Sequence, residues 1–298
     1  MSPSESSWPS LPLTAWADTC ATLHMWTQIV GKIRLALAPP VNHWWHATLY
    51  ITARGLTTSP IPSGDRSFEI AFDFIDHELR IDRSDGARQT IALAPMTVQE
   101  FYARVMRAMD DLRIDVRIWP VPVEVPSPIR FDQDRQHAAY DAEWAQRWWH
   151  VMRQIDLVFQ EFRGRFLGKS SPVHFFWGGF DLAVTRFNGR RAPDRPDPIQ
   201  REGYPHEVIS AGFWPGGGVV AGPAFYAYAA PEPPGFKTAS ILPGTASYRE
   251  DLGEFLLMYD DARTAASPRD TVMDFLQSSY EAGATLAKWN RAELERTV

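Results

Sequence analysis

Pro172-Val173-His174-Phe175-Phe176-Trp177, followed by Leu182-Ala183-Val184-Thr185-Arg186, repeats an earlier stretch of the chain. That earlier stretch is Pro40-Val41-Asn42-His43-Trp44-Trp45, followed by Leu49-Tyr50-Ile51-Thr52-Ala53-Arg54. Gly31-Lys32 precedes the first copy and Gly168-Lys169 the second. The closing segments also align, Thr97-Val98-Gln99-Glu100-Phe101 with Thr271-Val272-Met273-Asp274-Phe275. Self-similarity on this scale reads as an internal duplication.

Around these anchors four segments carry helical periodicity. The first spans 15–37. The second opens on the capping box Thr97-Val98-Gln99-Glu100. The third starts near Asp141 and stops at Gly164. The fourth opens Ser267-Pro268, a cap followed by proline in the first turn. Strand-like runs lie between them: 46–54, 68–75, 78–83 and 89–94, then 173–187, 207–214, 224–230 and 254–259. The predicted fold is α+β, two duplicated α-β4-α units with antiparallel sheet and flanking helices. The boundary falls after the proline-alternating linker Trp119–Pro128, which reads as an extended, stiff spacer. This gives halves 1–128 and 129–298, expected to pack as one compact unit. Two long loops, 190–205 and 231–251, occur in the second half only. Loops added to one copy are where function is expected.

Composition bounds the function. A net charge of −6 argues against electrostatic binding of nucleic acid. The longest apolar run, 219–230, is shorter than the roughly 20 residues of a membrane helix. The amino-terminal residues lack the basic and apolar regions of a signal peptide. One cysteine, Cys20, excludes an internal disulfide and a finger-type zinc site. The expected setting is cytoplasmic, with a small molecule as partner, no nucleic acid, no membrane, and neither a protein partner nor a cofactor indicated.

The expected site lies where the halves meet. Histidine carries protons near neutral pH, so His174 is a candidate catalytic group, with Asp181 and Glu207. Asp181 interrupts an apolar run, and a buried carboxylate needs a partner; Arg186, or Arg190 and Arg191 in the next loop, could supply it. Lys32, His43, Trp45, Lys169, Trp177, Arg186 and Trp214 are the candidate ligand-binding residues. His46, His174 and His206 are weak candidate metal ligands, because no compact ligand motif such as His-Glu-x-x-His is present. The expected function is binding of, or acid–base chemistry on, an anionic small molecule. The alternative is a non-catalytic interaction or scaffold module, docking through the aromatic and proline-rich loops. The sequence does not decide between enzyme and binding protein.

Four segments carry a resemblance: Thr22–Lys32, Asn42–His46, Ser171–Asp181 and Gly212–Gly216. They resemble the signatures of an uncharacterised bacterial domain-of-unknown-function family, DUF5996. The resemblance runs from Trp8 to about Trp289. It implies a single family unit and no activity, cofactor or catalytic residue.

Overall fold

A computed structural model of the chain describes residues 7–296. The amino-terminal stretch 1–6, part of the segment inspected for a leader, lies outside them. The chain is α+β, with two antiparallel sheets of six strands each. Two compact units divide it: a first unit of residues 13–153 and 175–180, and a second of residues 7–12, 154–174 and 181–296.

In the first unit, α1 (Leu13–Leu37) is buried on nearly all sides from Thr19 to Arg34. A helix this apolar belongs in a core. β1 (Tyr50–Ile51), β2 (Gly55–Thr57), β3 (Ile61–Ser63), β4 (Arg66–Asp73), β5 (Glu78–Arg83) and β6 (Arg88–Ala92) follow. Their order is β1-β2-β4-β5-β6, with β3 paired to β4. Strand β4 alternates inward Phe68, Ile70 and Phe72 with outward Glu69 and Ala71, the period-two pattern of a half-buried sheet. Helix α2 (Val98–Asp111) starts where Thr97 accepts the Glu100 amide, as the capping box predicts. The Glu100 carboxylate turns instead to Arg104, at 2.6 Å. Trp26 stacks on Phe101 at 4.6 Å, and Trp148 on Phe180 at 4.8 Å, filling the core with rings.

Helix α3 (Ala142–Gly164) is divided between the units after Arg153. β7 (His174–Phe176), β8 (Asp181–Arg191), α4 (Pro198–Gly203), β9 (His206–Trp214), β10 (Ala224–Ala230), β11 (Ser247–Arg249) and β12 (Glu254–Met258) come next. The sheet order is β11-β12-β10-β9-β8-β7, again a meander apart from the last hairpin. Helices α5 (Tyr259–Arg263), α6 (Pro268–Leu286) and α7 (Arg291–Leu294) close the chain, and α6 packs on β9 and β10.

Three local expectations change. The run 46–54 is not one strand, and only Tyr50–Ile51 pairs within it. His43 and Trp44 sit at φ 61° and 60°, so the chain turns before the strand begins. The run 173–187 is two strands, because 177–180 form a turn with Phe180 at φ 57°. The linker is not a uniform extended spacer. Glu124 and Ser127 have φ 57° and 52°, and Gln28 grips both the N–H and the C=O of Val123 at 2.8 Å. Side-chain hydrogen bonds of that kind override the local preference of proline-rich chain.

Candidate functional site

In the first unit the two copies of the repeated motif lie side by side. Leu49 and Phe175 exchange both backbone hydrogen bonds, each at 2.9 Å. Two residues on, Trp177 donates its indole N–H to Ala47 O at 2.6 Å. Its ring lies flat on α1 at Gly31, where an added Cβ would come within 2.1 Å of the indole. Glycine is required at that approach. Lys32 follows, with Nζ 5.6 Å from the centre of the same ring.

Lys32 is only 7% exposed, yet it makes no hydrogen bond or ion pair with any described residue. Burial lowers its pKa. A cation–π contact supplies roughly 0.5–2 kcal/mol. The Lys32 Nζ is not among the fully buried atoms without a partner, so the stem is buried while the ammonium keeps some access to water, and the indole offsets part of the remaining desolvation. The turn beneath carries His43 and Trp44 in left-handed conformation, with the His43 and Trp45 rings 5.2 Å apart. Of the predicted ligand-binding residues, Lys32 and Trp177 are therefore in contact, and the turn bearing His43 and Trp45 is tied to the same indole.

In the second unit one face of the sheet is polar. Side chains alternate along strands, so the register sets its rows. Ala183, Gly212 and Tyr226 stand abreast, and so do Thr185, Ser210 and Tyr228. Tyr226 reaches from β10 across Gly212 on β9 to donate its hydroxyl to Asp181 on β8. A Cβ at Gly212 would lie 2.2 Å from that phenol. Tyr228 stacks beside Tyr226, with centroids 6.2 Å apart, and shares a 2.8 Å hydrogen bond with Tyr204. Thr185 and Ser210 share another at 2.8 Å. Burial raises the pKa of both tyrosines well above the ordinary phenol value, with the nearby Asp181 and Glu254 carboxylates adding to it for Tyr226. Both phenols therefore stay protonated.

Glu254 borders this row. It is half-buried and makes no hydrogen bond or ion pair with any described residue. Burial pushes its carboxyl up to about 7. Trp214 packs with Val220, Ala224 and Leu256 against the same rim.

The remaining candidates are dispersed. Asp181 and Arg186 are an odd number of residues apart on one strand, so they face opposite sides of the sheet and the expected ion pair does not form. Arg186 is 1% exposed, donates to Phe162 O and sits 3.5 Å from the Phe162 ring, 4.2 Å from Tyr280 and 5.0 Å from Phe166. This is a structural cation in an aromatic cage. Asp181 lies level with Trp214 and Glu207 near the far end of β9, roughly 20 Å away at about 3.3 Å per residue. Glu207 is bound by Asn188 at 2.6 Å and Arg190 at 2.7 Å. Lys169 lies over Phe187 at 4.9 Å, His174 is buried, and the His206 pKa is lowered by burial and then by Lys169 and Arg191. His46 Nδ1 lies 3.0 Å from Val41 N and 3.1 Å from Val41 O. Among the described residues no three His, Cys, Asp or Glu side chains are grouped to hold a metal ion.

Sequence reasoning missed Glu254, Tyr226, Tyr228 and Tyr204. Alternation in Phe225-Tyr226-Ala227-Tyr228 places both tyrosines on one face, and that signal was available. Their meeting with Asp181 depends on strand order, which was not. It also missed the fully buried Asp134, which accepts His137 Nδ1 at 2.7 Å and holds the turn whose Asp134 C=O takes the Gln99 amide of α2.

A family model described as a family of unknown function (DUF5996) matches residues 8–296. No curated protein and no solved structure matches the chain. No helix among the described residues is long and apolar enough to cross a membrane.

Proposed function

The chain therefore belongs to DUF5996, whose function is unknown, and we propose from its own residues that it binds a small polar organic molecule on the tyrosine–carboxylate face of the second unit and does acid–base chemistry there. The observation that carries this reading is the ordered row Asp181–Tyr226–Tyr228–Tyr204, beside a half-buried carboxyl that nothing engages. A sheet face that only met solvent would have no need of phenols fixed in this way, Tyr226 on Asp181 and Tyr228 on Tyr204. Glu254, with its carboxyl near 7, takes or gives the proton at neutral pH. Asp181 fixes the Tyr226 hydroxyl as a positioning donor. By register this face carries Arg249, engaged by Asp251 at 2.7 Å, and Arg191, opposite His206 at the other end of the sheet. The ligand suited to the tyrosine–carboxylate row itself is neutral or cationic, because Asp181 and Glu254 are the charged groups acting on the Tyr226 phenol.

Two measurements test the reading. An NMR titration of carbon-13-labelled glutamate should place the Glu254 midpoint near 7; an ordinary glutamate midpoint removes the proton carrier. Ethanolamine, which offers both an ammonium and a hydroxyl, should shift the ring resonances of Tyr226 and Tyr228 in wild type and much less in Glu254→Gln. Unmoved tyrosine resonances reject the site.

The alternative, a protein-docking module, is favoured by Trp119, which is 70% exposed at the head of the proline-rich segment. We also infer a cytoplasmic setting from the single, buried cysteine Cys20, whose thiol burial pushes up to about 12 and so keeps inert.

A further inference from the structure

Lys32 lies in the other unit and takes no part in the proposed acid–base face. We propose that Lys32 is the anchor of a second binding site, for a small oxyanion, either a carboxylate or a phosphoryl group. The argument begins with what its surroundings supply. The side chain is more than nine-tenths buried, on a helix whose neighbouring residues are buried on nearly all sides. No described residue offers it a carboxylate, a carbonyl or a hydroxyl. Among the described residues, the ring under its ammonium is that of Trp177, at 5.6 Å. An aromatic face attracts the ammonium without taking its hydrogen bonds, so all three N–H donors remain free for a ligand.

The floor of the site is built with care that a casual contact does not need. Trp177 is held from two sides, by the Gly31 approach on α1 and by its N–H on Ala47 O. The same turn closes through the Ala47 amide on Trp44 O at 3.0 Å and keeps His43 and Trp44 left-handed. Left-handed histidine and tryptophan in succession are unfavourable and persist only where the surroundings over-determine them.

Two other cations sharpen the assignment. Arg34, also buried, points elsewhere, because residues two apart on a helix lie on opposite sides, and it lies over Tyr50 at 5.5 Å. Arg186 of the second unit is buried as deeply but is closed in by three rings and a carbonyl. A guanidinium so enclosed is shut off from a ligand, whereas the Lys32 ammonium is not among the fully buried atoms without a partner and can be reached from solvent. An oxyanion gives Lys32 the charge partner and hydrogen bonds that the chain withholds.

The test is melting temperature at pH 7 in sodium chloride, sodium acetate and sodium phosphate of matched ionic strength, for wild type and Lys32→Met. Acetate or phosphate should raise the wild-type Tm by about 2–4 °C over chloride, as selective binding to the folded state requires. Neither should raise Lys32→Met. A rise in acetate alone assigns a carboxylate, and one in phosphate alone a phosphoryl group. Equal wild-type melting in all three salts overturns the site, and so does an equal rise in Lys32→Met. If Lys32→Met does not fold, nitrogen-15 lysine NMR of the wild type replaces it: the Lys32 resonance must move with acetate or phosphate and stay still with chloride. Glu254→Gln should keep the anion response, so failure of the tyrosine–carboxylate reading leaves this one standing.

Discussion

Arg186 and Lys32 are both buried cations, and the protein treats them in opposite ways. The second unit wraps Arg186 in Phe162, Phe166 and Tyr280 and gives it the Phe162 carbonyl. Burial still draws that guanidinium down to about 9, so it remains charged at neutral pH. Tyr280 in turn donates to Glu295 at 2.8 Å, placing a carboxylate behind the cage. The first unit gives Lys32 one indole and no acceptor. The difference lies in the surroundings: Arg186 is closed in by three rings and one carbonyl, although its buried Nε has no hydrogen-bond partner, whereas Lys32 has one ring and no acceptor. Glu254 falls on the Lys32 side of that difference although it belongs to the Arg186 unit.

The largest expected effect breaks the compensated member. Arg186→Ala should lose ~3–4 kcal/mol of stability by urea unfolding, because it empties the cage and strips packing from three rings. A loss under ~1 kcal/mol shows that the cage was not supporting the fold, and the contrast with Lys32 collapses.

Glu254→Gln should do the reverse. The folded chain holds the Glu254 proton more tightly than the unfolded chain, so wild-type stability falls as pH rises from 4.5 to about 7. Allowing for its partial exposure, the variant should be ~1–2 kcal/mol more stable than wild type at pH 8 and nearly equal to it at pH 4. Parallel stability–pH curves for the two proteins exclude an uncompensated carboxyl.

Lys32→Met should give the smallest effect, a gain of ~1 kcal/mol at pH 7 in chloride. The pKa of Lys32 is lowered in the folded chain, so its penalty is full below that lowered value. It fades as pH rises toward the free-lysine value of 10.5, and the two melting curves should converge there. A gain that persists unchanged at high pH means the methionine simply packs better.

Much of the architecture was legible locally. Helices α1, α2, α3 and α6 follow from apolar periodicity, with the Thr97 cap starting α2, since these signals act within four residues; the Ser267 hydroxyl before α6 turns to Asp270 and caps no amide. Strands β5 and β10 fall on Glu78–Arg83 and Ala224–Ala230, the bounds that alternation and flanking turns predict. Where rings crowd together, local reading failed. Phe180, inside the run 173–187, reads as a strand residue but takes a left-handed conformation, with its ring stacked on Trp148 at 4.8 Å. Of the residues read as ligand-binding, Lys32 and Trp177 lie in contact, at 5.6 Å. Asp181 stands out because it interrupts apolar sequence, but of the partners the sequence suggests, Arg186 lies in the aromatic cage and Tyr226 takes its place at the carboxylate. Arg186 is near it in sequence, while Tyr226 is near it in space across an intervening strand.

By itself the sequence determined the α+β class, the antiparallel sheets flanked by helices and the family to which the chain belongs, because periodicity, turn chemistry and long motifs are written along the chain. Only the tertiary structure decided which polar groups are compensated. Compensation depends on strand order, on register, and on which ring lies under which cation. Those are relations between residues as far apart as Lys32 and Trp177, or Asp181 and Tyr226, and no local preference encodes them.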